Sequence, residues 1–104
     1  MKGGVSLGVY DEIIVLEETA IKLKGINDTK LYIVSCLRDH ERWEDLTIEE
    51  RARLVNFTHE MWLKQEMCLD IGCICDSVWE NRKNILNGKI DKWKFFNILA
   101  TRWS

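Results

Sequence analysis

Cysteine and histidine side chains are the groups in this sequence that could bind a metal ion. Cys36 and His40 are four residues apart, so on a helix both could face one ion. Structural zinc sites usually pair their cysteines across short turns. Cys68 and Cys75, in contrast, would lie about 10 Å apart along a helix, with Cys73 pointing to the other side. We therefore predict no metal site and no cofactor, and we expect the cysteines to be small buried apolar residues. Metal binding by Cys36 and His40 stays an open alternative.

Acid–base chemistry has two starting points, the segment His40-Glu41-Arg42-Trp43-Glu44 and the pair His59-Glu60. Neither extends to the His-Glu-x-x-His pattern of zinc proteases. The spacing of Glu41 and Glu44 resembles half of the magnesium site in all-α nucleotide pyrophosphohydrolases, but the chain lacks the complementary Glu-x-x-Asp. We predict that the protein is not an enzyme and has no catalytic residues.

The C-terminal third could contact nucleic acid. Val78-Trp79-Glu80-Asn81 and Asn87-Gly88-Lys89 resemble the recognition helix and turn of helix-turn-helix repressors, without the small-residue helix and glycine turn that should precede them. Basic and aromatic side chains there could bind phosphates and stack on bases: Lys83, Lys89, Lys92, Lys94, Arg102, Trp93 and Trp103. A helix-turn-helix-like DNA-binding regulator is therefore the alternative function.

Composition and charge describe one globular domain of 104 residues, with a net charge of −2 that indicates no general affinity for nucleic acid or membrane. Residues 1–75 carry 14 acidic and 9 basic side chains, whereas residues 76–104 carry 3 and 6. Such a dipolar surface can steer a protein partner or a second copy of the chain. No segment has the apolar length of a membrane span or of a signal peptide, so we expect a cytoplasmic protein with reduced cysteines.

Apolar spacing predicts an all-α fold, a small bundle of four to five helices in a single domain over residues 1–104. Residues 1–8 are expected to be a flexible tail or a short strand. Thr47 and Glu50 have the spacing of a capping box, and Asn87-Gly88 is typical of a helix end. A strand through Leu31–Val34 is the main alternative to the second helix. The predicted helices are Tyr10–Lys24, Lys30–Trp43, Thr47–Glu66, Cys68–Leu86 and Ile90–Trp103.

Two features suggest a binding surface. Arg82 falls within the apolar stripe of the predicted central helix Cys68–Leu86, where it must reach solvent or a partner. The last helix has one stripe through Trp93, Phe96, Leu99, Ala100 and Trp103, while Phe95 and Ile98 point elsewhere. A helix with two apolar faces is expected to be covered on both sides. In a chain this short, the second face is expected to contact another subunit.

These observations favour a small non-enzymatic protein–protein interaction module, an adaptor, inhibitor or regulator that acts through a helical surface and forms a homodimer. An origin as a phage or mobile-element accessory protein is a general expectation that no residue supports. The partner is another protein of unknown identity, with nucleic acid as the alternative. The predicted interaction residues are Arg82, Lys89, Trp93, Phe95, Ile98, Arg102 and Trp103.

Overall fold

The structure is a computed structural model that describes residues 27–103. This part of the chain is all-α, as predicted, and contains no strand. The predicted tail over residues 1–8 and the predicted helix Tyr10–Lys24 lie outside the described residues. The elements are α1 (Asp28–Arg38), a 3₁₀ turn (Trp43–Asp45), α2 (Ile48–Lys64), α3 (Ile71–Glu80), α4 (Arg82–Leu86) and α5 (Lys92–Trp103).

The first described helix starts where the sequence indicates and ends earlier. The Asn27 side chain accepts a hydrogen bond from the backbone N–H of Lys30 at 2.8 Å, which caps α1. Leu31–Val34 is helical, so the strand alternative is wrong. The helix ends at Arg38 rather than Trp43, because the chain then turns through Arg42, whose φ of 74° is left-handed.

The capping box is confirmed. Thr47 Oγ1 accepts a hydrogen bond from the backbone N–H of Glu50 at 3.1 Å, and Glu50 Oε1 accepts one from the backbone N–H of Thr47 at 2.9 Å. These bonds satisfy two donors that the start of α2 would otherwise leave unpaired. The Asn87-Gly88 helix end is confirmed too, since Gly88 adopts a φ of 79° and its N–H donates to the carbonyl of Ile85.

The predicted central helix Cys68–Leu86 is wrong at both its start and its middle. Residues 65–70 form a loop, closed by two hydrogen bonds between the Gln65 amide and the backbone of Leu69, and Asp70 caps α3 at Cys73 N. Cys68 lies in this loop with a φ of 58° and is exposed, so it is not part of an apolar stripe. The helix is interrupted again at Asn81, whose amide donates to the carbonyl of Ser77 at 2.8 Å.

The core lies between α1, α2 and α3, with α4 packed on α2 and α5 packed on α3. Phe95 of α5 is fully buried and packs edge-to-face on Phe57 of α2 at a centroid distance of 5.2 Å. Leu99, one turn later, is also fully buried. Of the predicted interaction residues on α5, Phe95 therefore belongs to the core and is not available to a partner, whereas Trp93 lies outside the core.

Candidate interaction surface

Arg82, the first residue of α4, is held by Trp79 of the preceding helix α3. Its guanidinium donates to the carbonyl of Trp79 at 2.8 Å and lies 4.3 Å from the centroid of the Trp79 ring. Trp79 itself is buried. Arg82 also lines a surface concavity of about 420 Å³ together with Arg42, Asp45 and Glu50. Cations and carboxylates are mixed in this concavity, so it favours no single class of ligand.

Arg102 and Trp103 attach the end of α5 to α3. Arg102 forms an ion pair with Glu80, and its guanidinium lies 4.7 Å from the Trp103 ring. The indole N–H of Trp103 donates to Ser77 Oγ at 3.0 Å, and Ser77 is fully buried. Both predicted interaction residues thus make contacts within the chain, and those contacts stabilise the fold.

Lys89 and Ile98 take no part in the ion pair or the hydrogen bond that attach α5 to α3. Lys89 is exposed in the turn between α4 and α5, where its carbonyl accepts a weak hydrogen bond from Lys94 Nζ at 3.4 Å. Ile98 is half-buried and lines a shallow depression with Asn81 and Asn97. Neither residue creates a distinct site.

Trp93 is different, since its side chain is 71% exposed, more than that of any other large apolar residue described. It packs edge-to-face on Phe96 at a centroid distance of 6.3 Å. The two rings form one wall of a groove of about 360 Å³, and Met67 of the loop 65–70 lies in the same groove. We call it the Trp93 groove; its lining residues are Lys64, Gln65, Glu66, Met67, Lys92, Trp93 and Phe96.

Two amines approach each other at the rim of the Trp93 groove. Lys64 Nζ lies 2.8 Å from the Glu60 carboxylate, which raises the pKa of Lys64. The proximity of Lys64 lowers the pKa of Lys92. Lys64 is thus paired with Glu60, whereas Lys92 meets the neighbouring ammonium group without an ion pair of its own to Glu60, and an additional anion would relieve their repulsion.

Sequence reasoning identified Trp93 but missed Lys64 and Met67 as its neighbours. These two residues reach the groove because the chain leaves the helix at Gln65 and turns back toward α5. The available signal was Asp70, a good N-cap residue three positions before Cys73. If the helix had continued without interruption, Met67 would lie further along the axis of α2 instead of turning back toward α5.

The metal alternative receives no ligand set from the described residues. Between residues 27 and 103, no three His, Cys, Asp or Glu side chains are placed to hold an ion. His40 instead stacks on Trp79 at a centroid distance of 5.1 Å, with Nε2 3.5 Å from Asp76 Oδ1. Cys36, one turn earlier, lies against Cys75 of α3.

The helix-turn-helix resemblance places its key residues in the interior. Val78 is fully buried and Trp79 is 8% exposed, so neither presents a side chain that could read a base edge.

In the described part of the chain, no helix has the length and apolar character needed to traverse a bilayer.

Similarity to known proteins gives no further direction. Comparisons with protein-family models, curated proteins and solved structures found no significant match.

Proposed function

We propose that this chain is a small non-enzymatic protein–protein interaction module, and that its Trp93 groove binds an apolar side chain flanked by carboxylates on a partner protein. The exposure of Trp93 carries the proposal. A tryptophan left in water beside a preformed groove is typical of an interface anchor, because tryptophan is enriched among residues that dominate binding energy.

Burial of Trp93 can supply part of the binding energy. Covering an aromatic side chain removes about 150–250 Å² from water, and at about 25 cal/mol per Å² this contributes on the order of 4 kcal/mol. Association also costs translational and rotational freedom, so the anchor alone would give weak binding. Met67 and Phe96 extend the apolar contact, and the groove wall is already ordered by the hydrogen bonds of Gln65.

Charge selects the partner. Lys64 and Lys92 lie side by side and only Lys64 is paired with Glu60, so an incoming carboxylate gains two cationic neighbours. A nucleic-acid backbone is less suited to the groove, because a continuous row of phosphates would also have to pass Glu60 and Glu66, whereas a single carboxylate needs only the two lysines. Within this proposal, the adaptor, inhibitor and regulator roles share the same surface, and a homodimer would place an acidic segment of a second copy in the groove.

A peptide selection tests the proposal directly. A random peptide library displayed on phage is selected on the wild-type protein. We expect enriched peptides that combine an apolar anchor with aspartate or glutamate, and isothermal titration calorimetry on synthetic copies should show at least a tenfold affinity loss for Trp93→Ala, about 1.4 kcal/mol. Leu63→Ala is the matched control, since Leu63 is 62% exposed and does not line the groove.

The charge requirement has its own control. Lys92→Glu should weaken binding of the acidic peptides, whereas Lys83→Glu, at an exposed lysine of the Arg82 concavity, should not. Sedimentation of the free protein distinguishes a different partner protein from a second copy of the chain in the groove. A homodimer that dissociates in Trp93→Ala would identify the second copy as the occupant. Equal binding by wild type and Trp93→Ala would refute the proposal, and so would salt-sensitive binding of single-stranded oligonucleotides in place of peptides.

A further inference from the structure

Two cysteines that are far apart in the sequence meet where α1 packs on α3. Cys36 lies on α1 and is half-buried against the core, whereas Cys75 lies on α3 and is 1% exposed. The two side chains are neighbours there, and His40, one turn after Cys36, lies 3.5 Å from Asp76, the residue that follows Cys75. One thiol therefore has access to solvent, and the second lies directly behind it in the interior.

We propose that Cys36 and Cys75 form a redox modification site, at which a hydroperoxide oxidises Cys36 and Cys75 then closes a disulfide between α1 and α3. The proposal is independent of the Trp93 groove and of any partner protein. The other two cysteines lack this arrangement, since Cys68 is exposed in the loop 65–70 and Cys73 lies on α3 beside Asp70.

The surroundings of the two thiols differ in a way that assigns their roles. The hydrogen bond from Cys75 lowers the pKa of Cys36 to about 7, and the side chain of Tyr32, one turn earlier on α1, contributes in the same direction. Burial and the negative charges of Asp39 and Asp76 oppose this shift. The pKa of Cys75 is raised by the same hydrogen bond and by burial. Cys36 is thus the nucleophile, since it is the thiol that solvent can reach and its lowered pKa favours the reactive thiolate.

In this reaction the hydroperoxide is the oxidant and the two thiols are the reductant, so the steps balance without a further co-reactant. The Cys36 thiolate attacks one oxygen of the hydroperoxide, the O–O bond breaks, and the leaving oxygen takes a proton to become water or an alcohol. Cys36 is then a sulfenic acid. The sulfur of Cys75 attacks the sulfur of Cys36, and the sulfenic hydroxyl leaves as water with the proton of Cys75. Two thiols have lost two electrons and two protons, and the peroxide has gained them.

The second step joins two side chains that are already neighbours. A disulfide requires the two sulfurs to approach to about 2 Å, and Cys36 and Cys75 meet where α1 packs on α3. Cys36 and Cys75 are held by packed helices, so they remain close together throughout the native state.

The test uses the full chain, fully reduced and then treated with stoichiometric hydrogen peroxide. Remaining thiols are alkylated in denaturant, and peptides are mapped by mass spectrometry without reduction. We expect a Cys36–Cys75 disulfide as the main product in the monomer, with Cys73 alkylated. Because this experiment uses only the wild-type protein, its result does not depend on whether any variant folds. Absence of the Cys36–Cys75 linkage, or oxidation directed mainly to Cys68, would overturn the proposal.

Variants separate the two steps. In Cys75→Ser, the Cys36 sulfenic acid cannot be resolved, so dimedone should label Cys36 after peroxide treatment. Cys36→Ser should abolish both the label and the disulfide, whereas Cys73→Ser should form the disulfide as the wild type does. Far-ultraviolet circular dichroism verifies that each variant is folded. Dimedone labelling that is equal at Cys36 and Cys68 in Cys75→Ser would show that Cys36 has no special reactivity.

Discussion

The contact between Trp103 and Ser77 provides the sharpest test of how α5 is attached. Trp103→Phe keeps an aromatic ring but removes the indole N–H that donates to Ser77 Oγ at 3.0 Å. Ser77 is fully buried, so its hydroxyl cannot turn to water for a replacement partner. A lost intramolecular hydrogen bond costs about 0.5–1.5 kcal/mol, and the smaller ring also loses some buried apolar area. We expect a loss of about 1–2 kcal/mol in the free energy of unfolding.

The assay is urea denaturation followed by far-ultraviolet circular dichroism, because tryptophan fluorescence would itself change with the substitution. At about 4–8 °C per kcal/mol for a domain of this size, the melting temperature should fall by a readily measured amount. Trp93→Phe is the matched control. Its side chain is 71% exposed, so the substitution should change stability by less than about 0.5 kcal/mol.

A double-mutant cycle with Ser77→Ala isolates the hydrogen bond from the loss of ring area. If the bond exists, the double variant should be more stable than the sum of the single effects predicts, with a coupling energy of about 1 kcal/mol. Independent sites are additive within about 0.3–0.5 kcal/mol. A coupling energy inside that range would refute the assignment of Trp103 to the interface between α3 and α5.

Three further outcomes are expected. Phe95→Ala should destabilise the protein by about 3–5 kcal/mol in chemical denaturation, because Phe95 is fully buried against Phe57; a loss below 1 kcal/mol would contradict this core position. Burial and the nearby Lys30 lower the pKa of His59 in the folded state, so unfolding free energy should decrease as pH falls below about 6.5, where the unfolded chain binds the proton first. Circular dichroism at several pH values should show that His59→Gln has a weaker dependence, and an unchanged profile would exclude His59 as the cause. The alkylation rate of Cys36 should rise with a midpoint near pH 7, and this midpoint should move upward in Cys75→Ala, which lacks the donor; an unmoved midpoint would remove the hydrogen bond as its cause.

Local signals were predicted well because they act over a few residues. Thr47 and Glu50 form their reciprocal hydrogen bonds within one turn, so the start of α2 is encoded in four consecutive residues. Gly88 likewise ends α4 through its own backbone conformation. The strand alternative is wrong for two reasons. Asn27 caps the helix locally, and the helix buries Ile33 and Val34 in the core.

Sequence reasoning predicted poorly those features in which two alternatives compete, such as helical against side-chain hydrogen bonds or one apolar helix face against another. Apolar spacing alone carries the helix through residues 65–70, but the Gln65 amide bonds to the backbone of Leu69 and takes the place of the helical hydrogen bonds. The last helix carries two apolar faces, and periodicity cannot choose between them. The T-shaped contact of Phe95 with Phe57 makes that choice, which leaves Trp93 outside the core.

The sequence by itself determined an all-α chain, the beginning of α2 and the turn after α4, because side chains and backbone within one helical turn supply the necessary hydrogen bonds. Only the tertiary structure decided which tryptophan is exposed and which cysteines meet. Those outcomes follow from packing between helices, which brings Lys64 to Lys92 and Cys36 to Cys75 across long separations in the chain. No spacing within one segment of the sequence contains that information.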